Sequence, residues 1–456
     1  MIKHLRLSFS TISLCLLLVL VSACSLPLSS SGSNSTPTAT TRSATPVSTP
    51  QTVQMPPTQT SCPADGTARP AVMRNLVLGQ LQNLVYIYNE VPQNTSIAFG
   101  HLRRYDVSNG HKAEIVSSGV RIDQAQISAD GQWVLFLSIP DARGDSQHSA
   151  MLQIVRMDGE GLQTLYCFPK TTYSNSTGSS NSKLPIAFQW SVNQKSIVIS
   201  ENTNNTTSQI FLLDVASGAI RQLFQDQNDT LYSYSVITWL DNAHFYIVKQ
   251  GTNAPTPPAT IYLMDASTAT VASPGLINIL TTPTRMSYYA LDSSYDGTLL
   301  YSSYCLLAAS PFNTNIQVGS ATGGSRHTIY QKQPDDCIQS LRAISSNTLL
   351  LLMQVSHAGV FENQVWTMDL LGNSTKTLTT LTHTNSGQAG YSLNPTSQFP
   401  WSNVSRDGGF YALQAIDPIA TNQTILVSSM KGGDPTAVAV TNPGSSSVSL
   451  AGWTTL

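Results

Sequence analysis

Three histidines stand in or beside long polar stretches of the sequence: His148 follows Asp141 and Asp145, His357 precedes Glu362, and His383 opens HTNSGQAGYSLNPTSQ. Imidazoles and carboxylates together can move protons or hold a divalent cation. Their spacing fits no ligand pattern: the sequence contains no His-Glu-x-x-His, phosphate loop or paired-cysteine zinc motif. It also lacks the Gly-x-Ser-x-Gly nucleophile elbow. Asp145, His148, His357, Glu362 and His383 are therefore candidates for a ligand-binding face, with solvated loop side chains as the plainer reading. No catalytic residue, resident metal or cofactor is expected.

A second set of carboxylates recurs with a period of about fifty residues. Asp130, Asp296 and Asp407 stand in Asp-Gly turns that open an apolar, alternating run, as in ISADGQWVLFLS. Asp106, Asp158, Asp214, Asp265 and Asp369 close another run, as in LQIVRMDGEGLQTL. Alternation with period two marks half-buried strands, and Asp-Gly marks the tight turn between them. The predicted unit is strand, short turn, strand, long loop, strand, short turn, strand. These aspartates are read as structural, accepting backbone hydrogen bonds within their turns.

Seven such units predict an all-β, seven-bladed β-propeller, with six or eight blades as alternatives. The Ser-x-Asp-Gly and Met-Asp-x-x-Gly turns resemble the TolB-type, WD-repeat-like propeller family over about residues 74–441. Some blades replace the first Asp-Gly, as in SVNQK and SSNTL. SVSLAGWTTL, at the end of the chain, is expected to lend a strand to the first blade. The resemblance implies an interaction platform. Because some members are metal-dependent polysaccharide lyases, it also leaves open a glycan lyase or hydrolase.

Strand order puts the short turns on one face and the longer connections on the other. Residues 139–150, 169–185, 250–259, 355–363 and 383–398 are the long loops, and function is expected on that face. Trp190, Trp239 and Trp401 are expected at inner-strand positions, packed between blades. Cys62, Cys167, Cys305 and Cys337 are expected to form two disulfides. Of three pairings, Cys305–Cys337 with Cys62–Cys167 is favoured, and free buried thiols are the alternative.

The N-terminus supplies an address. Lys3 and Arg6 precede an apolar run from Leu7 to Val21, short for a membrane span and suited to a signal peptide. Val21-Ser22-Ala23-Cys24 resembles the lipobox of bacterial lipoproteins, which implies cleavage after residue 23 and a diacylglycerol on Cys24. Residues 24–61 are rich in Ser, Thr and Pro, with Arg42 the only charge, and read as a disordered tether. The propeller domain is assigned to 62–456, outside the cell and held to the membrane through Cys24. With a formal net charge of −2 and 11% charged residues, the chain has no basic stripe for nucleic acid. A protein or glycan ligand is expected; its identity and the oligomeric state are left open.

Overall fold

The computed structural model describes residues 61–67, 76–92, 98–140, 148–169, 186–203, 207–227, 232–251, 258–282, 288–294, 296–306, 313–331, 336–357, 360–381, 390–394, 400–416, 422–441 and 446–456. Cys24 with its flanking segments, Asp145 and His383 lie outside them.

Seven four-stranded antiparallel sheets form the blades of a β-propeller. Blade 2 is typical, with Arg121–Ile127 innermost, then Trp133–Ile139, His148–Arg156 and Gln163–Pro169 at the rim. The following blades start at Ile186 (blade 3), Tyr232 (blade 4), Tyr288 (blade 5), Cys337 (blade 6) and Tyr391 (blade 7). Blade 1 is composite. Its inner strand, Ser446–Thr454, comes from the end of the chain and pairs with Asn83–Glu90, as the sequence led us to expect.

The second strands read as near-continuous apolar runs because neighbouring blades cover both of their faces. In Trp133–Ile139, Trp133, Leu135 and Leu137 pack toward blade 3, while Val134 and Phe136 pack toward blade 1. Leu349, Leu351 and Met353 likewise face blade 5, whereas Leu350 and Leu352 face blade 7. The core is thus a set of seven wedges, one between each pair of adjacent blades.

One irregularity repeats in every blade. The rim strand carries an extra residue opposite the third strand, and it is always aliphatic: Ile115, Leu165, Leu223, Ile279, Ile329, Leu378 or Val438. Such bulges bend a strand and raise its twist. Here the bulged carbonyl also meets a glycine of the next blade. A side chain on Gly159 would strike the Ile115 carbonyl, and one on Gly372 the Ile329 carbonyl. Both glycines have positive φ, 92° and 75°, so the turn's shape and the close approach call for the same residue.

Blade 7 departs from expectation. Its inner strand is only Tyr391–Ser392, inside a stretch read from sequence as loop, and contact with the second strand resumes at the Val404–Tyr411 bridge. Trp401 lies on a 3-10 turn, Pro400–Ser402, instead of an inner strand. Nor is 355–363 a long loop. Strands Thr348–His357 and Val360–Asp369 pair as far as His357 and Val360, making one extended hairpin.

Candidate functional site

The candidate ligand-face residues are not brought together. His148 begins the third strand of blade 2, whereas His357 and Glu362 belong to the blade 6 hairpin. Glu362 accepts a hydrogen bond from the Gln364 amide at 3.2 Å. Among the described residues, one His/Cys/carboxylate group has metal-like spacing, and it joins His148 to Cys62 and Cys167. Those sulfurs are bonded to each other, with His148 Nδ1 3.7 Å from Cys62 Sγ, so they are not free thiolates. Cys305 and Cys337 form the second disulfide, between the second strand of blade 5 and the inner strand of blade 6.

The repeated aspartates hold turns. In blade 2 the Ser128 hydroxyl donates to Asp130 and accepts from the Trp133 amide, while Asp130 accepts from the Gln132 amide. Ser294–Asp296 and Ser405–Asp407 repeat this in blades 5 and 7, and Ser191–Asn193 does so in blade 3 with an amide for the carboxylate. At the second turns, Asp106 binds Ser108 and Asn109, Asp214 binds Ser217, and Asp369 binds Leu371, Asn373 and Ser374. Asp158 instead takes a two-pronged contact from Arg156. Hydrogen bonds from Ser267, opposed by partial burial and joined by Thr268, hold Asp265 down to about 2.

A cavity opens at the centre of this turn face, with a volume of about 370 Å³. Blades 2 to 7 all contribute to it. Ala129, Val192, Leu240 and Ala343 give apolar wall, Trp239 and Trp401 aromatic wall, and Asp241, Asp292 and Asp296 carboxylates. Trp239 is fixed by its indole N–H, which donates to the Gln189 carbonyl at 3.0 Å. Trp401 lies under the Arg406 guanidinium, 4.0 Å from the ring centre.

Asp292 is the unusual member. Gln126, Gln189 and Asp292 occupy one position in the repeat, two residues ahead of the turn serines Ser128, Ser191 and Ser294. There Gln126 Oε1 accepts the Trp190 amide of the next blade at 3.0 Å, and Asp292 Oδ2 accepts the Ala343 amide at 2.8 Å. The hydrogen bond is a shared pin between blades, whereas the charge is specific to blade 5. Burial pushes Asp292 up to about 6, against the opposing pull of the Arg342 charge and two backbone amides. Arg342 is buried as well. It donates to the carbonyls of Leu291, Leu341 and Asn394, joining blades 5, 6 and 7.

Sequence reasoning missed this site for an identifiable reason. Most of its members come from short turns or the strand ends beside them, where length signals nothing. Asp292 lies in LDSSYDG beside the more conspicuous Asp296-Gly297. The available signal was positional: a carboxylate in blade 5 where blades 2 and 3 place glutamine.

No protein-family description matches the chain, and no curated protein does. Solved structures do. TolB from Acinetobacter baumannii aligns over 80% of this chain and 82% of its own, at 13% identity and a TM-score of 0.43. The periplasmic gluconolactonase of Pseudomonas aeruginosa aligns over 81% and 99%, at 12% identity and 0.48. The oligogalacturonate lyase of Vibrio parahaemolyticus aligns over 79% and 86%, at 10% identity and 0.45. The likeness is one of fold, a β-propeller with TolB-type structures among its neighbours.

Proposed function

We propose that this chain is an exported lipoprotein, held to a membrane through Cys24, whose propeller binds a ligand at the axial cavity of its turn face. The cavity carries the reading, because six blades converge on one concavity that mixes apolar wall, two tryptophans and a few polar groups. Small-molecule and side-chain sites have that composition. Two disulfides suit an oxidising compartment outside the cytoplasm. The Cys62–Cys167 bond also ties residue 62 to the rim strand of blade 2.

Two experiments test this. Photoreactive groups at Val192 and Asn242, beside the cavity, are compared on intact cells with groups at Ile416 and Val440, exposed strand ends on the opposite face. Capture from the first pair alone is the expected result, and capture from the second pair alone would move binding to the long-connection face. For anchoring, Cys24→Ser is expected to shift the protein out of the membrane fraction, and an unchanged distribution would refute the lipid anchor.

A second reading, a glycan hydrolase, draws on Asp292, whose raised pKa suits a general acid. Binding is preferred because these carboxylates are already engaged, Asp241 and Asp296 by amides of their own turns and Asp292 by the Ala343 amide of the next blade.

A further inference from the structure

We propose that the axial cavity takes a basic side chain of a peptide partner, its cationic head among Asp241, Asp292 and Asp296 and its apolar stem along Val192 and Leu240. This rests on the reading that the cavity is the binding site, and goes further in naming the chemistry bound.

Three observations carry it. The lining holds three carboxylates and, among the described residues, no lysine, arginine or histidine. The basic groups nearest these residues stand behind the lining: Arg342 lies beside Asp292, His244 contacts Asp241 at 2.9 Å and Arg406 covers one face of Trp401, so an entering cation adds to a site with more carboxylates than cations at its surface. Aromatic faces attract cations electrostatically, and the site already shows this: Arg406 lies over Trp401 while its guanidinium donates to the Ser128 and Ala129 carbonyls. Much of the remaining wall is aliphatic or alanine, which matches the methylene stem of lysine or arginine. The hydroxyls of a sugar could reach the carboxylates, Asn242, Ser293 and Ser294, but the aliphatic stretch would face them without partners, so a side chain with a methylene stem matches more of the wall. A bare metal ion would gain nothing from the aliphatic wall.

The test uses the full mature chain carrying 5-fluorotryptophan, with the Trp239 and Trp401 resonances assigned by single Trp→Phe variants. The probes are N-acetyl methylamides of lysine, arginine and norleucine, and calcium chloride. The expected result is that the lysine or arginine probe shifts both resonances at concentrations at least tenfold below norleucine. Asp241→Asn should weaken that response several-fold. Asp241 is chosen because its side chain is half exposed, so the variant should fold, with melting temperature as the check.

Equal response to norleucine would reduce the site to an apolar hollow and overturn the proposal. Calcium shifting the same resonances and displacing the basic probes would make it a metal site, and no response to any probe would also sink the idea. The outcomes separate from those of the parent reading. Turn-face capture on cells without basic-probe binding removes this inference alone. Absence of both removes the cavity as the binding site.

Discussion

Asp265 and Asp292 place the same carboxyl group in opposite environments, and the difference should appear as opposite slopes of stability against pH. Asp265 is held down to about 2, and Asp106, Asp214, Asp296 and Asp369 are also lowered by turn hydrogen bonds. Below about pH 4 the unfolded chain binds more protons at these groups, so stability should fall as pH drops from about 4 toward 2. Asp292 works the other way: raised to about 6, it keeps its proton in the folded chain while the unfolded chain has lost it. Its contribution should therefore decline as pH rises from about 4 to about 6. Denaturant titrations across pH 2–8 should show both slopes, and Asp292→Asn should remove only the upper one. Persistence of that slope in the variant would assign it to another group. The turn aspartates were legible because Ser-x-Asp-Gly is local chemistry. Asp292 was not, since its character comes from burial between blades, which only the closed ring produces.

At the level of strands and turns, the repeating rim bulge sets the tolerance for substitution. Gly372→Ala would force a Cβ into the Ile329 carbonyl at a positive φ, combining steric conflict with backbone strain. A loss of about 2–4 kcal/mol is expected by chemical denaturation. Gly275 also has positive φ but nothing near its would-be side chain, so Gly275→Ala should cost only about 1–2 kcal/mol. Equal losses would mean that strain alone accounts for both. The strands were readable from alternation and turn residues, and blade number followed from the period. The bulges were not, because an extra isoleucine or leucine in an apolar run leaves the pattern almost unchanged. Blade 7 misled for the converse reason: Trp401-Ser-Asn-Val404 reads as strand, yet the sheet takes only Val404 and the distant pair Tyr391–Ser392.

For the whole ring, the seam between blades 7 and 1 is held by the terminal strand and by Arg406. That side chain donates to the Trp453 carbonyl of the closing strand and to Ser128 and Ala129 of blade 2. Arg406→Ala should lower stability by about 2 kcal/mol, the range for hydrogen bonds from a charged donor. Replacing Cys305 and Cys337 by serine, which opens a loop with a sequence separation of 32, should cost roughly 3–4 kcal/mol on the chain-entropy view. A smaller loss on reduction would show that the unfolded chain already keeps those two segments close. Closure by the chain's end was foreseeable, since SVSLAGWTTL had no partner within its own unit. The linkage through Arg406 was not, because its partners lie far away in sequence.

The composite first blade also imposes an order in time. Synthesis from the N-terminus delivers Asn83–Glu90 first among the strands and Ser446–Thr454 last among them. Until Ser446–Thr454 has been made, the edge of Asn83–Glu90 that will receive it has no ladder partner, and such an edge invites pairing with other chains. Six blades can assemble while the circle stays open. The strand that locks it is Ser446–Thr454, so a chain cut short before Ser446 would be an unclosed ring that quality-control proteases can recognise.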